Sequence, residues 1–357
     1  MFYHVGGQFG KLPPMDDRKA SVPNEVASPD SEPDDTVPPP SPGSIVPGLR
    51  SDDALVASSP FAERVRKVFI GPDGLRSVWR LALYLLMYRG LRFCLHILIY
   101  YALPDIGRLW LDTAAEMGFL LIAVTPTLVM ARIENRPFGS YGLPLRDAFG
   151  KFFWVGTLWG IVSLTMLLIA LHGAHAFDLG GLALHGVRVV KFAVFWGAFF
   201  LIVGFAEEFF TRGYTQFTLT QAVGFWPAAI LLSAAFGALH LENPGESWVG
   251  ILGAVLIGFF FCLTLRRTGT LWFAIGFHAS WDWGESYFYS VPDSGGMAPG
   301  HLLHSNFHGP NWLTGGSVGP EGSVFLFVLL VLLWVVFDRV YPEVKYPAQI
   351  SDSEPAA

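Results

Sequence analysis

Apolar positions in this chain gather into long blocks. They alternate with neither the two-residue step of a strand nor the narrow stripe of a surface helix. About 20 apolar residues span a bilayer. Eight blocks qualify: Ser77 to Leu103 (interrupted by Arg89 and Arg92), Asp112 to Ala131, Ala148 to Leu171, Val187 to Phe210, Phe225 to His240, Ser247 to Leu265, Thr270 to Tyr289 and Ser323 to Phe337. Backbone groups in lipid must be satisfied within their own segment, so each block predicts a helix. The expected fold is all-α and polytopic, with about eight transmembrane helices and a cavity in the C-terminal half.

Residues 1–60 break this pattern. They hold 11 of the 25 prolines, with Ser and Asp runs and no apolar period. Such a stretch buries too little surface to offset its ordering entropy, which predicts a disordered tail. It has no signal-peptide layout. The expected organisation is a tail over 1–60, transmembrane helices over 61–186, the chemistry-bearing core over 187–290, and a Gly/Pro-rich loop, last helix and tail over 291–357.

Composition sharpens this. Of 357 residues, 52% are hydrophobic and 15% charged, well under the roughly 25% charged of soluble domains. The net charge of −6 gives no basis for nucleic-acid binding. Two cysteines, Cys94 and Cys262, make neither a disulfide framework nor a thiolate metal site. The end of the chain, Ser351 to Ala357, carries no lipidation signal.

Basic residues set the expected orientation. The N-terminal flank and the loops after the even-numbered blocks carry fourteen Lys and Arg, counting Arg212. The remaining loops carry three: Arg108, Arg188 and Lys191. Both ends are expected in the cytoplasm of a multi-pass protein, in a bacterial inner membrane. The loop Ser290 to Pro320 has no Lys or Arg and is expected to be a partly ordered outer cover. Its His301, His304 and His308 could be taken for a metal cluster, but a Gly/Pro-rich cover is the preferred reading.

Candidate chemistry lies where ionisable groups interrupt the apolar blocks, because a charge at membrane depth is costly unless paired or set in a wet cavity. In Glu207-Glu208-x-x-x-Arg212, Glu208 and Arg212 are i,i+4 neighbours in the favoured order. Glu207 points about 100° away and has no intrahelical partner, which suits it to proton transfer. The competing reading is a snorkelling ion cluster at a helix end. Phe236-x-x-x-His240 puts a histidine on an apolar helix, where alone it reads as a core residue. His278-x-x-x-Asp282 puts imidazole and carboxylate on one face, so that Asp282 can fix the tautomer of His278. At about 1.5 Å rise per residue, Glu207 and His240 both lie roughly 22–27 Å from the turn near Ala222, at similar depth. His278 can reach the same layer. A carboxylate and histidines in a membrane cavity suit peptide-bond hydrolysis or a proton relay.

At these three motifs the chain resembles the CPBP family, the CAAX-protease and bacteriocin-processing (Abi) intramembrane endopeptidases, over roughly residues 190–290. The resemblance implies an eight-helix intramembrane protease acting on a membrane-associated protein or peptide. It implies Glu207 as the base that activates water, His240 as its partner in holding that water, and His278 with Asp282 on the oxyanion side. Glu208, Arg212 and Phe236 would be supports. Asp282 stands where eukaryotic CAAX endopeptidases carry Asn, and an ionised Asp cannot donate to an oxyanion. Metal-free hydrolysis with no cofactor is favoured. Zinc held by Glu207, His240 and His278 is the alternative, although no His-Glu-x-x-His stretch occurs. Two other classes compete: a proton-coupled transporter, against which stands the lack of internal repeats, and an inactive family scaffold.

Overall fold

The computed structural model describes residues 60–72, 74–102 and 107–346. The tail expected over 1–60 lies outside these, apart from Pro60. Helix α1 (Pro60–Phe69) falls mostly in a separate unit that ends at Val68, and stands by itself. It has Glu63 in its first turn and Arg66 and Lys67 in its last, charges that complement the helix dipole.

From Phe69 onward a two-residue hairpin, β1 (Ile70–Gly71) with β2 (Gly74–Leu75), leads into the helices. These are α2 (Ser77–Ala102), α3 (Arg108–Ile133), α4 (Lys151–Gly173), α5 (Val187–Arg212), α6 (Tyr214–Val223), α7 (Phe225–Leu239), α8 (Trp248–Thr268) and α9 (Trp272–Trp283). Strand β3 (Phe177–Asp178) lies between α4 and α5 and pairs antiparallel with β4 (Asn306–Phe307). One helical turn, α10 (Asn311–Thr314), precedes the last helix, α11 (Phe325–Val340).

All eight expected helices are present. Six are long and apolar enough to cross a membrane. The seventh block divides, with α9 passing into a π-helical stretch at Gly284–Tyr289. The eighth, α11, has 16 residues. Outward-facing Leu86, Phe93, Leu121, Trp154, Ile169, Val190, Ile230 and Val328 are exposed, a surface that only lipid covers without cost. The chain is an integral membrane protein of all-α class.

One expectation about charge changes. Arg212 was counted with a loop, but α5 and α6 together run Val187–Val223 as one apolar segment. The bend falls at Gly213, where a Cβ would overlap the Phe209 carbonyl. Arg212 is therefore inside the protein, 1% exposed, and thirteen basic residues remain on that side. The turn expected near Ala222 is at Gly224, whose φ of 86° is readily adopted only by glycine.

The core is arranged around α9. Phe273, Phe277 and Trp281 pack with Leu164 and Leu168 of α4, Phe260 and Phe261 of α8, and Leu330 and Leu333 of α11. The α4–α9 contact is the most extensive between elements among the described residues. Gly156 and Gly160 on α4 lie against the backbones of Phe273 and Phe277, and Gly276 lies against Phe153 and Thr157. Small residues at i,i+4 let two membrane helices approach until their backbones touch.

The Ser290 to Pro320 loop is ordered. It is held by the β3–β4 pair, by a bridge between Leu182 and Leu303, and by Leu303 N–H donating to Ser290 Oγ at 2.8 Å. His301 and His304 meet edge to face, ring centroids 6.4 Å apart, but the three histidines do not gather as one ligand set among the described residues. His301 Nδ1 bonds the Ala298 carbonyl and His308 Nε2 lies 3.1 Å from Asp178.

Candidate active site

The site begins with the last two turns of α5. Glu208 and Arg212, one turn apart, pair at 2.6 Å between Oε2 and Nη1. Both are inaccessible, at 0% and 1% exposure. Two bare charges there would be prohibitive, so the remaining groups of each should be satisfied. Arg212 Nε donates to the Gly258 carbonyl of α8 at 3.2 Å, and Nη1 also donates to Thr211 Oγ1. Its guanidinium lies over the rings of Phe236, at 4.9 Å, and Phe261, at 5.3 Å. A Cβ on Gly258 would come 2.8 Å from Arg212 Nη2, so glycine there makes room for the cation.

The second oxygen of Glu208 reaches across to α9. Oε1 lies 3.0 Å from His278 Nδ1. With a carboxylate as acceptor, Nδ1 carries the proton, and Nε2 is directed elsewhere. Nε2 lies 3.4 Å from Asp282 Oδ2 and 3.9 Å from Glu207 Oε2. These are ion-pair separations, longer than hydrogen bonds. His278 thus stands among three carboxylates, with its ring parallel to that of Phe261 at 6.1 Å. Gly204 permits this approach of α5 to α9, since a Cβ there would touch Ala279 N, Ile275 O and His278 Cβ.

His240 arrives from the end of α7, where the α-helix gives way to a 3-10 turn. Its Nδ1 donates to the Phe236 carbonyl at 2.9 Å, which leaves Nε2 of the neutral ring as an acceptor. Phe236 touches His240 edge-on at 4.7 Å while supporting Arg212. The Phe-x-x-x-His spacing therefore joins the buried cation to the half-buried imidazole through one ring.

Glu207, His240, His278 and Asp282 line a single cavity. Its apolar wall includes Phe200, Phe261, Phe277, Trp281, Leu326 and Leu330. The three helical motifs meet as the depth estimate expects. The zinc set fares differently. Among the described residues, only Glu285, Asp293 and Glu321 bring three ligand atoms within 4.8 Å of one another. Glu207, His240 and His278 do not; the Nδ1 of His278 is engaged by Glu208, which leaves its Nε2 available.

The sequence reading missed several residues here. Phe261 and Gly258, three apart on α8, form the back of the site, but one apolar helix position looks like another before its neighbours are known. Glu246, Asp293 and Glu321 line the same cavity from loops, where no periodicity marks a position as inward.

Residues 189–284 match the family model Type II CAAX prenyl endopeptidase Rce1-like. No curated protein and no solved structure matches the chain significantly. The matched stretch runs from the start of α5 to the residue after α9, and contains all three motifs. Residues 189–284 form an Rce1-like CAAX prenyl endopeptidase domain by the family pattern they match, a domain of membrane proteases.

Proposed function

We propose that the protein hydrolyses a peptide bond of a membrane-associated protein or peptide, using a water activated by Glu207. The observation that carries this reading is the convergence of Glu207, His240, His278 and Asp282 on one cavity within an apolar helical core. A carboxylate and a free imidazole nitrogen on one cavity can hold a water between two acceptors. Glu207 takes a proton from that water as its oxygen bonds to the substrate carbonyl carbon. The carbonyl oxygen becomes an oxyanion and accepts from Nε2–H of His278, here the imidazolium, protonated on both nitrogens beside its three carboxylates. Glu207 then returns the proton to the leaving nitrogen as the C–N bond breaks. Electrostatic stabilisation of this kind, in a site closed to bulk water, is worth about 3–4 kcal/mol per donor.

Asp282 in this scheme serves His278 rather than the oxyanion, consistent with its 3.4 Å approach to Nε2. Glu208 and Arg212 are positioning residues. No metal takes part in this reading. Both termini face the cytoplasm of a bacterial inner membrane in this reading, in line with the distribution of Lys and Arg.

The test is cleavage of a quenched membrane-anchored peptide library by purified full-length protein. Glu207→Gln and His240→Ala should each lower kcat by about a hundredfold or more, with melting temperatures near that of the wild type. A zinc-selective chelator should leave the rate unchanged. Cleavage at wild-type rate in both variants overturns the assignment, and loss on zinc chelation with recovery on adding zinc overturns the metal-free step.

A further inference from the structure

A second group of carboxylates lies just beyond the matched domain. Glu285, on the π-helical stretch after α9, Asp293, in the following loop, and Glu321, before α11, bring one oxygen each within 4.8 Å of one another. Glu285 is 0% exposed, and neither of its oxygens has a hydrogen-bond partner. Asp293 Oδ2 accepts from Ser286 Oγ at 2.8 Å and Glu321 Oε2 accepts from Ser294 Oγ at 3.1 Å. Among the described residues no Lys or Arg pairs with any of the three. The Ser290 to Pro320 loop contains none at all.

Two buried carboxyls and a half-buried one, with a formal charge of −3 when all are ionised, cannot stand together unneutralised. Hydroxyls satisfy one oxygen each on Asp293 and Glu321, and neither oxygen of Glu285 has a hydrogen-bond partner. An unpartnered buried carboxylate facing two others describes a coordination sphere that lacks its centre. All the donors are oxygen, which selects a hard cation over zinc or copper. Oxygens up to 4.8 Å apart suit metal–oxygen bonds of about 2.4 Å, within the calcium range. Asp293 and Glu321 also line the cavity, which gives an ion a way in.

We propose that Glu285, Asp293 and Glu321 bind a hard divalent cation of the calcium class, distinct from the catalytic residues. The ion would tie the end of α9 to the loop before α11, across the mouth of the cavity. The proposal does not rest on peptidase activity.

The experiment uses purified full-length protein in detergent, stripped with EGTA. Ca²⁺ should raise the melting temperature beyond a NaCl control of equal ionic strength. Bound Tb³⁺ should give luminescence sensitised by the neighbouring tryptophan and be displaced by Ca²⁺. Glu285→Gln and Asp293→Asn should each weaken Ca²⁺ binding by about tenfold or more. In EGTA, Glu285→Gln should melt no lower than wild type, because it removes an uncompensated charge. Glu207→Gln should bind Ca²⁺ as wild type does, which separates failure here from failure of the peptidase reading. No Ca²⁺-dependent shift, an undiminished shift in both carboxamide variants, or a response to Zn²⁺ but not Ca²⁺ would each overturn the proposal.

Discussion

Nδ1 of His278 lies 3.0 Å from Oε1 of Glu208, whose other oxygen is 2.6 Å from Arg212. The second glutamate of the pair therefore links a buried cation on its own helix to an imidazole on another. Glu208→Gln keeps the shape and removes the charge. It should lower kcat by about 10- to 100-fold, in line with the loss of groups that orient a catalytic histidine, while KM stays within about twofold. Normalising kcat to the folded fraction, measured by thermal unfolding on the same preparation, separates this from simple loss of folded protein. Glu208→Ala leaves Arg212 buried and unpaired, at a cost of about 3–5 kcal/mol, and should fail to accumulate in the membrane.

Phe236 supports Arg212 and His240 with one ring. Phe236→Leu fills much of the volume without an aromatic face. A stability loss of about 1–2 kcal/mol is expected from the missing cation–π and edge contacts. The rate should fall further than Ala substitution of an apolar cavity residue such as Leu330 would cause. Thermal unfolding and kcat on the same preparation provide the check.

The α4–α9 seam is backbone against backbone. Gly276→Val would drive a side chain into the Phe153 carbonyl and Thr157, neither of which can withdraw. A loss of about 3 kcal/mol is expected, with His278 displaced alongside. Gly173, with nothing near its hypothetical Cβ, should accept Ala without effect, and the pair compared by thermal unfolding tests the seam.

Glu246 stands on the loop between α7 and α8. Burial raises its carboxyl above the usual carboxylate range, against the pull of the Ser247 N–H, which donates to it at 2.8 Å. A raised carboxyl means that the folded state binds more protons than the unfolded one, so stability falls as pH rises through the folded value. Glu246→Gln removes that dependence. Its melting temperature should gain on wild type from pH 5 towards pH 8, and a gap that shrinks over this range would contradict the assignment.

The helices and the three motifs were legible because each has a local cause. Apolar blocks need no partner to be recognised, and Glu208 with Arg212, or His278 with Asp282, are set by helical spacing alone. What joins these pieces was not legible. The Glu208–His278 bond links α5 to α9 over 70 residues, and no period records it. Arg212 looked like a loop residue because α5 does not stop at Phe210 but continues past a bend at Gly213. Glu285 stands near the end of the seventh apolar block and Asp293 and Glu321 on loops, so no helical spacing links the three. Ser247 is the opposite case: its hydroxyl accepts from Gly250 N–H at 3.2 Å, and a serine opening an apolar run announces a helix start.

Gly156, Gly160 and Gly276 bear on what could be transplanted. The domain pattern spans residues 189–284, but the helix against which its last element is seated, α4, lies outside it. The register of His278 along α9 is thus inherited from a neighbour that carries no chemistry. A graft of the matched stretch into another membrane scaffold would bring every reactive side chain and lose the rail that sets their height. An engineer seeking the smallest working unit should begin the cut before Lys151.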